Sequence, residues 1–424
     1  MNKYNVWNKW DKLKTVMLGA TYAPEFYRDI KNDRIRNALQ RISRETQEDL
    51  AYFEKVLVEN GVEVIRPELD PADSIMNYTD EDGNLTNIPP APLQPRNEQL
   101  ILGNNILYQG PDQQINIAIR AKLYEYNNTN VIRVNKIIIT KAIYNAIRCY
   151  DTNDWPEYNA YMDNFDNESY FLPHVWKEIT KHRDLYGSIL PHITAPQFTL
   201  LGKDLYIDNR IDPEDYKDKW EENKALAIAI EEFAKHPYIA EHFRVDEVNI
   251  GGHNDAVFNA IKPGAILSLN NAQRYADTFP GWDVCYLLDQ SWGIEGFLLN
   301  RNDDGFLRHK ERVKGKWWVP GEEDNDEFTD FVESWLQDWV GFCEETVFDV
   351  NCLVLDKEHV FVSQMNDQVN EFLAKHNMTP IHIPWRHRYF WDGGLHCITL
   401  DLEREGKQED LFINRTGPVT CMGY

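Results

Sequence analysis

Four times along the chain, a short apolar run, a polar turn and a second apolar run follow one another. Gln99–Leu102 leads through Gly103-Asn104-Asn105 into 106–109, and Phe198–Leu201 leads through Gly202-Lys203-Asp204 into 205–208. The third copy is 256–261, Lys262-Pro263-Gly264 and Ala265–Leu269, and the fourth is 352–355, 356–359 and 360–363. The turns carry Gly, Asn, Asp or Pro, which supply the backbone angles of tight connections. The runs are continuous in Ile, Leu, Val and Phe rather than alternating, as in strands buried on both faces.

A second pattern joins a helix to a strand. Residues 48–60 read as an amphipathic helix, followed by Gly61 and a strand at 62–66 that stops before Pro67. Residues 364–376 read likewise, followed by Asn377-Met378 and a strand at 379–383 before Pro384. Gly61 and Asn377 stand where a left-handed helix cap is wanted. Strands at Leu13–Leu18 and 395–402 complete the set. Hairpins interleaved with helices predict an α/β protein of about five repeated modules around a closed ring. A doubly wound two-domain fold is disfavoured, because no Gly-rich phosphate loop follows an early strand. No low-complexity linker breaks the chain, so 1–424 is read as one domain. Residues 70–95 and 296–327 read as long surface loops.

Composition removes several function classes. The 424 residues carry a formal net charge of −25, and no Lys/Arg run stands out. Nucleic acid and anionic membrane are therefore poor partners. The acidic stretches 221–232 and 322–333 read as solvated helix faces. No apolar run is long enough to span a bilayer, and the first residues lack the apolar core of a signal peptide. The six cysteines, Cys149, Cys285, Cys343, Cys352, Cys397 and Cys421, are dispersed without a C-x-x-C pair. Neither a zinc site nor a disulfide framework is indicated, and reduced thiols in the cytoplasm are expected.

Two stretches could carry chemistry. In Gly393-Gly394-Leu395-His396-Cys397-Ile398-Thr399, paired glycines allow a sharp turn and close approach to a ligand. In a strand, His396 would face away from Cys397 and make a poor general base for it. A lone cysteine there reads equally as a small core residue. In Gly251-Gly252-His253-Asn254-Asp255, the histidine and carboxylate share one face of an extended chain. Such a pair suits acid–base work beside a cysteine, and a hydrogen-bonded structural histidine is the other reading.

These motifs have a known counterpart. Asn8-Lys9-Trp10-Asp11-Lys12-Leu13, Pro95-Arg96-Asn97, His253-Asn254-Asp255-Ala256-Val257-Phe258-Asn259, Val354-Leu355-Asp356-Lys357 and Gly393-Gly394-Leu395-His396-Cys397-Ile398-Thr399 occur in this order. In this the chain resembles the glycine amidinotransferase family, within the guanidino-modifying superfamily whose fold is the pentein, a five-module α/β propeller. The resemblance implies small-molecule substrates, with L-arginine as donor and an amine such as glycine as acceptor. It implies Cys397 as nucleophile, an S-amidino-cysteine intermediate, His253 as proton carrier and Asp255 as guanidinium holder. It implies no metal and no organic cofactor, and homodimers are common among such proteins.

The match departs from the family in the pocket. Asn97, Thr194 and Gln197 stand where acids are expected, with Arg96 beside the first. Each lost charge-assisted bond to a guanidinium is worth about 1.5–3 kcal/mol. A pocket so lined suits a neutral ureido, amide or amidine group. Cys343-Glu344-Glu345 replaces small hydroxyl residues near the substrate's far end, and Glu345 there would attract an amine. Arg274 is the candidate anchor for a substrate carboxylate. A same-fold hydrolase and a non-catalytic binding homologue are the alternative functions.

Overall fold

The computed structural model describes residues 3–85, 88–97, 99–108, 114–127, 131–133, 195–208, 230–231, 233–248, 250, 253–269, 274–287, 319–322, 324–336 and 347–417. Within them lie five three-stranded sheets of one pattern. In each, a first strand pairs antiparallel with the middle strand, and the third strand lies parallel to the middle one. One sheet joins β1 (Leu13–Leu18) and β2 (Glu63–Ile65) to the last strand of the chain, β15 (Thr399–Arg404). The next two are β3 (Gln99–Leu102), β4 (Asn105–Tyr108) and β5 (Val131–Arg133), then β6 (Phe198–Leu201), β7 (Asp204–Asp208) and β8 (Arg244–Val248). The last two are β9 (Phe258–Lys262), β10 (Ala265–Leu269) and β11 (Asp283–Leu287), then β12 (Leu353–Val354), β13 (His359–Val362) and β14 (Thr379–His382).

All four sequence hairpins are present. Gly103, Gly202 and Gly264 turn the first three with positive φ of 60°, 62° and 87°. Each first strand is buried on both faces apart from Lys262 at the end of β9 and Glu403 in β15. The helix α1 (Asp33–Glu59) starts well before residue 48, because Asn32 caps it by accepting from the Arg34 and Ile35 amides. Ile35, Leu39, Ile42, Thr46, Leu50, Phe53 and Leu57 form its buried stripe. Asn377, with φ of 53°, and Gly61, with φ of 78°, are left-handed helix exits as expected. The segment 70–95 is less loop-like than expected, since Ile75, Ile88, Ala91 and Leu93 enter the core. Most of 296–327 and all of 221–229 lie outside the described residues.

Two strand starts differ from expectation, and both matter. Residues 254–257 form a helical turn, so β9 begins at Phe258. Residues 395–398 form a turn, so β15 begins at Thr399. Every first strand is in fact preceded by a short turn of this kind. The others are Pro95–Asn97 before β3, Ala195–Gln197 before β6 and Val347–Val350 before β12. The 95–97, 195–197, 254–257 and 347–350 turns touch one another in chain order. Asn351, at the end of the fourth, accepts the His396 amide at 3.2 Å. Arg96, in the first, donates Nε to the His396 carbonyl at 3.0 Å.

The N-terminal segment straps these units together. Asn5 bonds Leu402, Val6 bonds Gly103, Trp7 bonds Gly202 and Leu13 bonds Leu355 through backbone groups. Behind the strap lies a buried ion cluster. Asp401 binds Arg96 at 2.8 Å and Arg404 at 2.8 Å. Arg404 also donates to the Asp11 and Val354 carbonyls. Among the described residues no helix is long and apolar enough to cross a membrane.

Removing one partner from a buried pair leaves an uncompensated charge, which costs about 3–5 kcal/mol. Asp401→Asn leaves Arg96 and Arg404 without their carboxylate and is therefore expected to lower the urea unfolding free energy by that amount. An unchanged urea midpoint would show that the two arginines are satisfied without the Asp401 charge.

Candidate active site

The turn carrying Cys397 is shaped by its glycines. A Cβ on Gly394 would lie 2.7 Å from the Asn351 carbonyl oxygen, and one on Gly393 would lie 3.0 Å from the Cys397 Cβ. Only glycine lets the turn settle against Asn351. The Cys397 amide then donates to Asn351 Oδ1 at 3.0 Å. Asn351 Nδ2 donates to the Asp255 carbonyl at 3.1 Å. One amide side chain thus joins the turn before β15 to the turn before β9.

The result is a compact cluster. Cys397 Sγ donates toward Asp255 Oδ2 at 3.8 Å, and His396 Nδ1 bonds the same oxygen at 2.7 Å. His396 was expected to face away from the cysteine. That reasoning needed a strand at 395–397, and the turn puts both side chains on Asp255 instead. His253, half-buried at the start of the 254–257 turn, lies close enough to help hold the Asp255 carboxylate.

Electrostatics fix the protonation states. Burial alone would push the Asp255 carboxyl up, but the His396 hydrogen bond and the nearby His396, His253 and Lys9 outweigh it and hold it well below the ordinary carboxylate range. Burial, with Arg96 nearby, pushes His396 down to about 4. His396 is therefore neutral at neutral pH, with its proton on Nδ1 facing the carboxylate. Burial and the Asp255 charge raise the Cys397 thiol well above its usual value, and Asp392 raises it further. Asp392 directly precedes the paired glycines, in a left-handed conformation with φ of 49°.

The remaining sequence candidates among the described residues lie apart from this cluster or behind it. Arg96 is buried, with its guanidinium bonded to Asp401 and to the His396 and Thr399 carbonyls. Asn97 donates to Gln94 Oε1 at 2.5 Å, and Gln94 in turn bonds the Trp391 and Asp392 carbonyls. Gln197 is fully buried and donates to the Asp208 carbonyl at 3.2 Å. Arg274 is exposed and pairs with Asp277 at 3.1 Å. Thr194 and Glu345 lie outside the described residues. Sequence reasoning missed Asn351, Asp392 and the role of His396. Asp392 had a signal, as an acid abutting a Gly-Gly turn. Asn351 had none.

The fold and site define an α/β protein of repeated three-stranded sheets, with a cysteine, a carboxylate and two histidines gathered at the turns where the sheets meet. No protein-family profile matches the chain. Glycine amidinotransferases, named as mitochondrial, do resemble it. The Gallus gallus protein is 22% identical over 429 residues, covering 96% of this chain and 84% of that one. The Danio rerio protein is 21% identical over 426 residues, with the same coverage. Among solved structures, an amidinotransferase from Microseira wollei in the saxitoxin biosynthetic pathway superposes with a TM-score of 0.55 at 16% identity, covering 97% of this chain and 100% of that one. The inosamine-phosphate amidinotransferase of Streptomyces griseus gives 0.52 at 16% identity, covering 96% and 99%. The resemblance to glycine amidinotransferases thus runs along nearly the whole chain, and the two solved structures share its fold.

The neutral His396 has a pH consequence. Its folded value lies below the ordinary value of about 6.5, so folding favours the uncharged ring. That stability is fully present above about pH 6.5 and is lost as pH falls toward 4, amounting to about 3 kcal/mol. His396→Gln is expected to flatten this part of the pH–stability curve, measured by chemical denaturation across the window. Identical slopes in the two proteins would mean that His396 is not buried neutral.

Proposed function

We propose that the chain is an amidinotransferase that moves an amidino group from L-arginine to an amine of the glycine type, through a covalent adduct on Cys397. The observation that carries this reading is Cys397 Sγ at 3.8 Å from Asp255 Oδ2, at a Gly-Gly turn, in a chain that resembles amidinotransferases end to end. The cyclic contact of the five pre-strand turns supports a pentein-type propeller of five α/β modules. The free thiols of Cys285, Cys352 and Cys397 fit a reducing compartment such as the cytoplasm.

The electrostatics favour a cation as donor. Asp255 and Asp392 both oppose a thiolate at Cys397. A planar guanidinium placed between them reverses that effect, since an adjacent cation favours the charged thiolate. It also gains charge-assisted hydrogen bonds from the carboxylates. Asn97 and Gln197 do not oppose this reading, because their amides bond to Gln94 and to the Asp208 carbonyl.

The chemistry then follows from the residues. The Cys397 thiol gives its proton to His253, and the thiolate forms a C–S bond to the guanidino carbon. The tetrahedral adduct collapses by breaking the C–N bond to ornithine, whose nitrogen takes the proton from His253. An S-amidino-cysteine remains. The acceptor amine attacks the same carbon, gives its proton to His253 and expels the Cys397 thiolate, which recovers that proton. Asn351 holds the cysteine backbone, and His396 orients Asp255 throughout.

Mass spectrometry of the intact protein incubated with arginine is expected to show one amidino group added at Cys397. Cys397→Ala should carry none. Absence of an adduct on the native protein under any arginine concentration sinks the donor assignment. Urea formed from arginine without any acceptor amine would point to a hydrolase of the same fold.

Asp392→Asn separates the two effects of that carboxylate. Iodoacetamide should alkylate Cys397 faster in this variant, because a charge opposing the thiolate is gone. Arginine binding should weaken by about 1.5–3 kcal/mol, or about 10–100-fold. Parallel changes of one sign in both measurements would contradict a cationic donor.

A further inference from the structure

Lys9 sits in the N-terminal strap with its Nζ buried and without a hydrogen-bond partner among the described residues. An unpaired buried ammonium is costly, so its retention asks for a reason. Two buried polar atoms of the cysteine cluster share this condition: Asp255 Oδ1 and His396 Nε2. The three residues line one small cavity of about 20 Å³, together with Arg96 and Asp401. Its other walls include Val6, Leu100, Ile101, Phe198 and Leu200.

We propose that Lys9 is a positioning residue for the Cys397 site, holding Asp255 from behind through one water shared with His396 and supplying the positive charge that offsets a Cys397 thiolate. This rests on the reading of Cys397 as nucleophile. A water needs about 10–15 Å³ and two to four polar partners, and the cavity provides both. The water accepts from Lys9 Nζ and donates to Asp255 Oδ1 and to His396 Nε2, which is the acceptor nitrogen once Nδ1 carries the proton. Asp255 Oδ2 is then left for His396 Nδ1 and the sulfur side.

The charge pattern agrees. Fully buried around the cavity and behind it are the cations Lys9, Arg96 and Arg404 and the carboxylates Asp255 and Asp401. With His396 neutral, these five groups carry one positive charge in surplus, which favours a thiolate at Cys397 and is opposed by Asp392. Burial pushes the Lys9 ammonium down to about 8, opposed by Asp255, Asp401 and Cys352, so it stays charged near neutral pH. The remaining groups facing the site are His253, beside Asp255, and Asp392, beside Cys397.

The test follows iodoacetamide alkylation of Cys397 against pH, located by peptide mass spectrometry, which needs no substrate. Lys9→Met and Lys9→Gln both remove the charge, and each is expected to move the alkylation profile upward by about one pH unit, a tenfold slower reaction at fixed pH. Lys9→Arg keeps the charge and should keep the native midpoint. An unshifted profile in Lys9→Met and Lys9→Gln, or an equal shift in Lys9→Arg, overturns the role of Lys9. A native Cys397 that resists alkylation at every pH instead overturns the nucleophile reading itself.

Discussion

Asp401 ties the cysteine turn, the N-terminal strap and β12 to one another. Its carboxylate is buried between Arg96 and Arg404, and each arginine reaches onward to a different part of the chain. Arg96 holds the His396 and Thr399 carbonyls, which set the turn that presents Cys397. Arg404 holds the Asp11 carbonyl in the strap and the Val354 carbonyl in β12. Such a cluster is weak as a net source of stability, because desolvation offsets most of its attraction. Its value is in register. Groups that must each find a charged partner can meet in few arrangements, and here the arrangement that satisfies them also sets the cysteine turn.

That frame explains an otherwise odd site. A nucleophilic thiol is usually placed where its charge is welcome, yet Cys397 is buried against Asp255 with Asp392 nearby. The resting protein therefore keeps the sulfur protonated. On the proposed reading, a thiol that ionises poorly alone and is favoured by the charge of a cationic substrate discriminates against neutral molecules without a steric filter. The two histidines are placed differently. His253 is half-buried, while His396 is buried, neutral and bonded to the Asp255 carboxylate.

Much of the fold was legible along the chain, for a local reason. Leu13–Leu18, Gln99–Leu102, Phe198–Leu201 and Ala265–Leu269 are short apolar runs, and glycine turns with positive φ close three of the four hairpins. The β8 and β11 strands were not singled out, since both are only partly buried. The pre-strand turns were also missed, because three or four residues hold too little periodicity to separate a turn from a strand. From that one error came the misreading of His396. Cys397, His253 and Asp255 could be nominated because each sits in a glycine-marked motif. Asn351 is a single polar residue beside an apolar run, and its meaning comes wholly from a module elsewhere in the chain.

The sheet that holds the cysteine turn pairs β15 with β1, so that Leu18 lies opposite Thr399. Pairings this distant in sequence raise contact order and slow folding, because the entropy of closing the loop precedes the gain from contact. During synthesis, β1 and β2 emerge early and wait for nearly the whole chain, with an apolar strand edge open to other partners. The Cys397 sulfur is meanwhile the last chemical group of the cluster to be made, and the turn that seats it cannot form until β15 docks. Assembly of the frame and assembly of the site are therefore one event, which leaves little room for a partly folded species that already carries an aimed thiol.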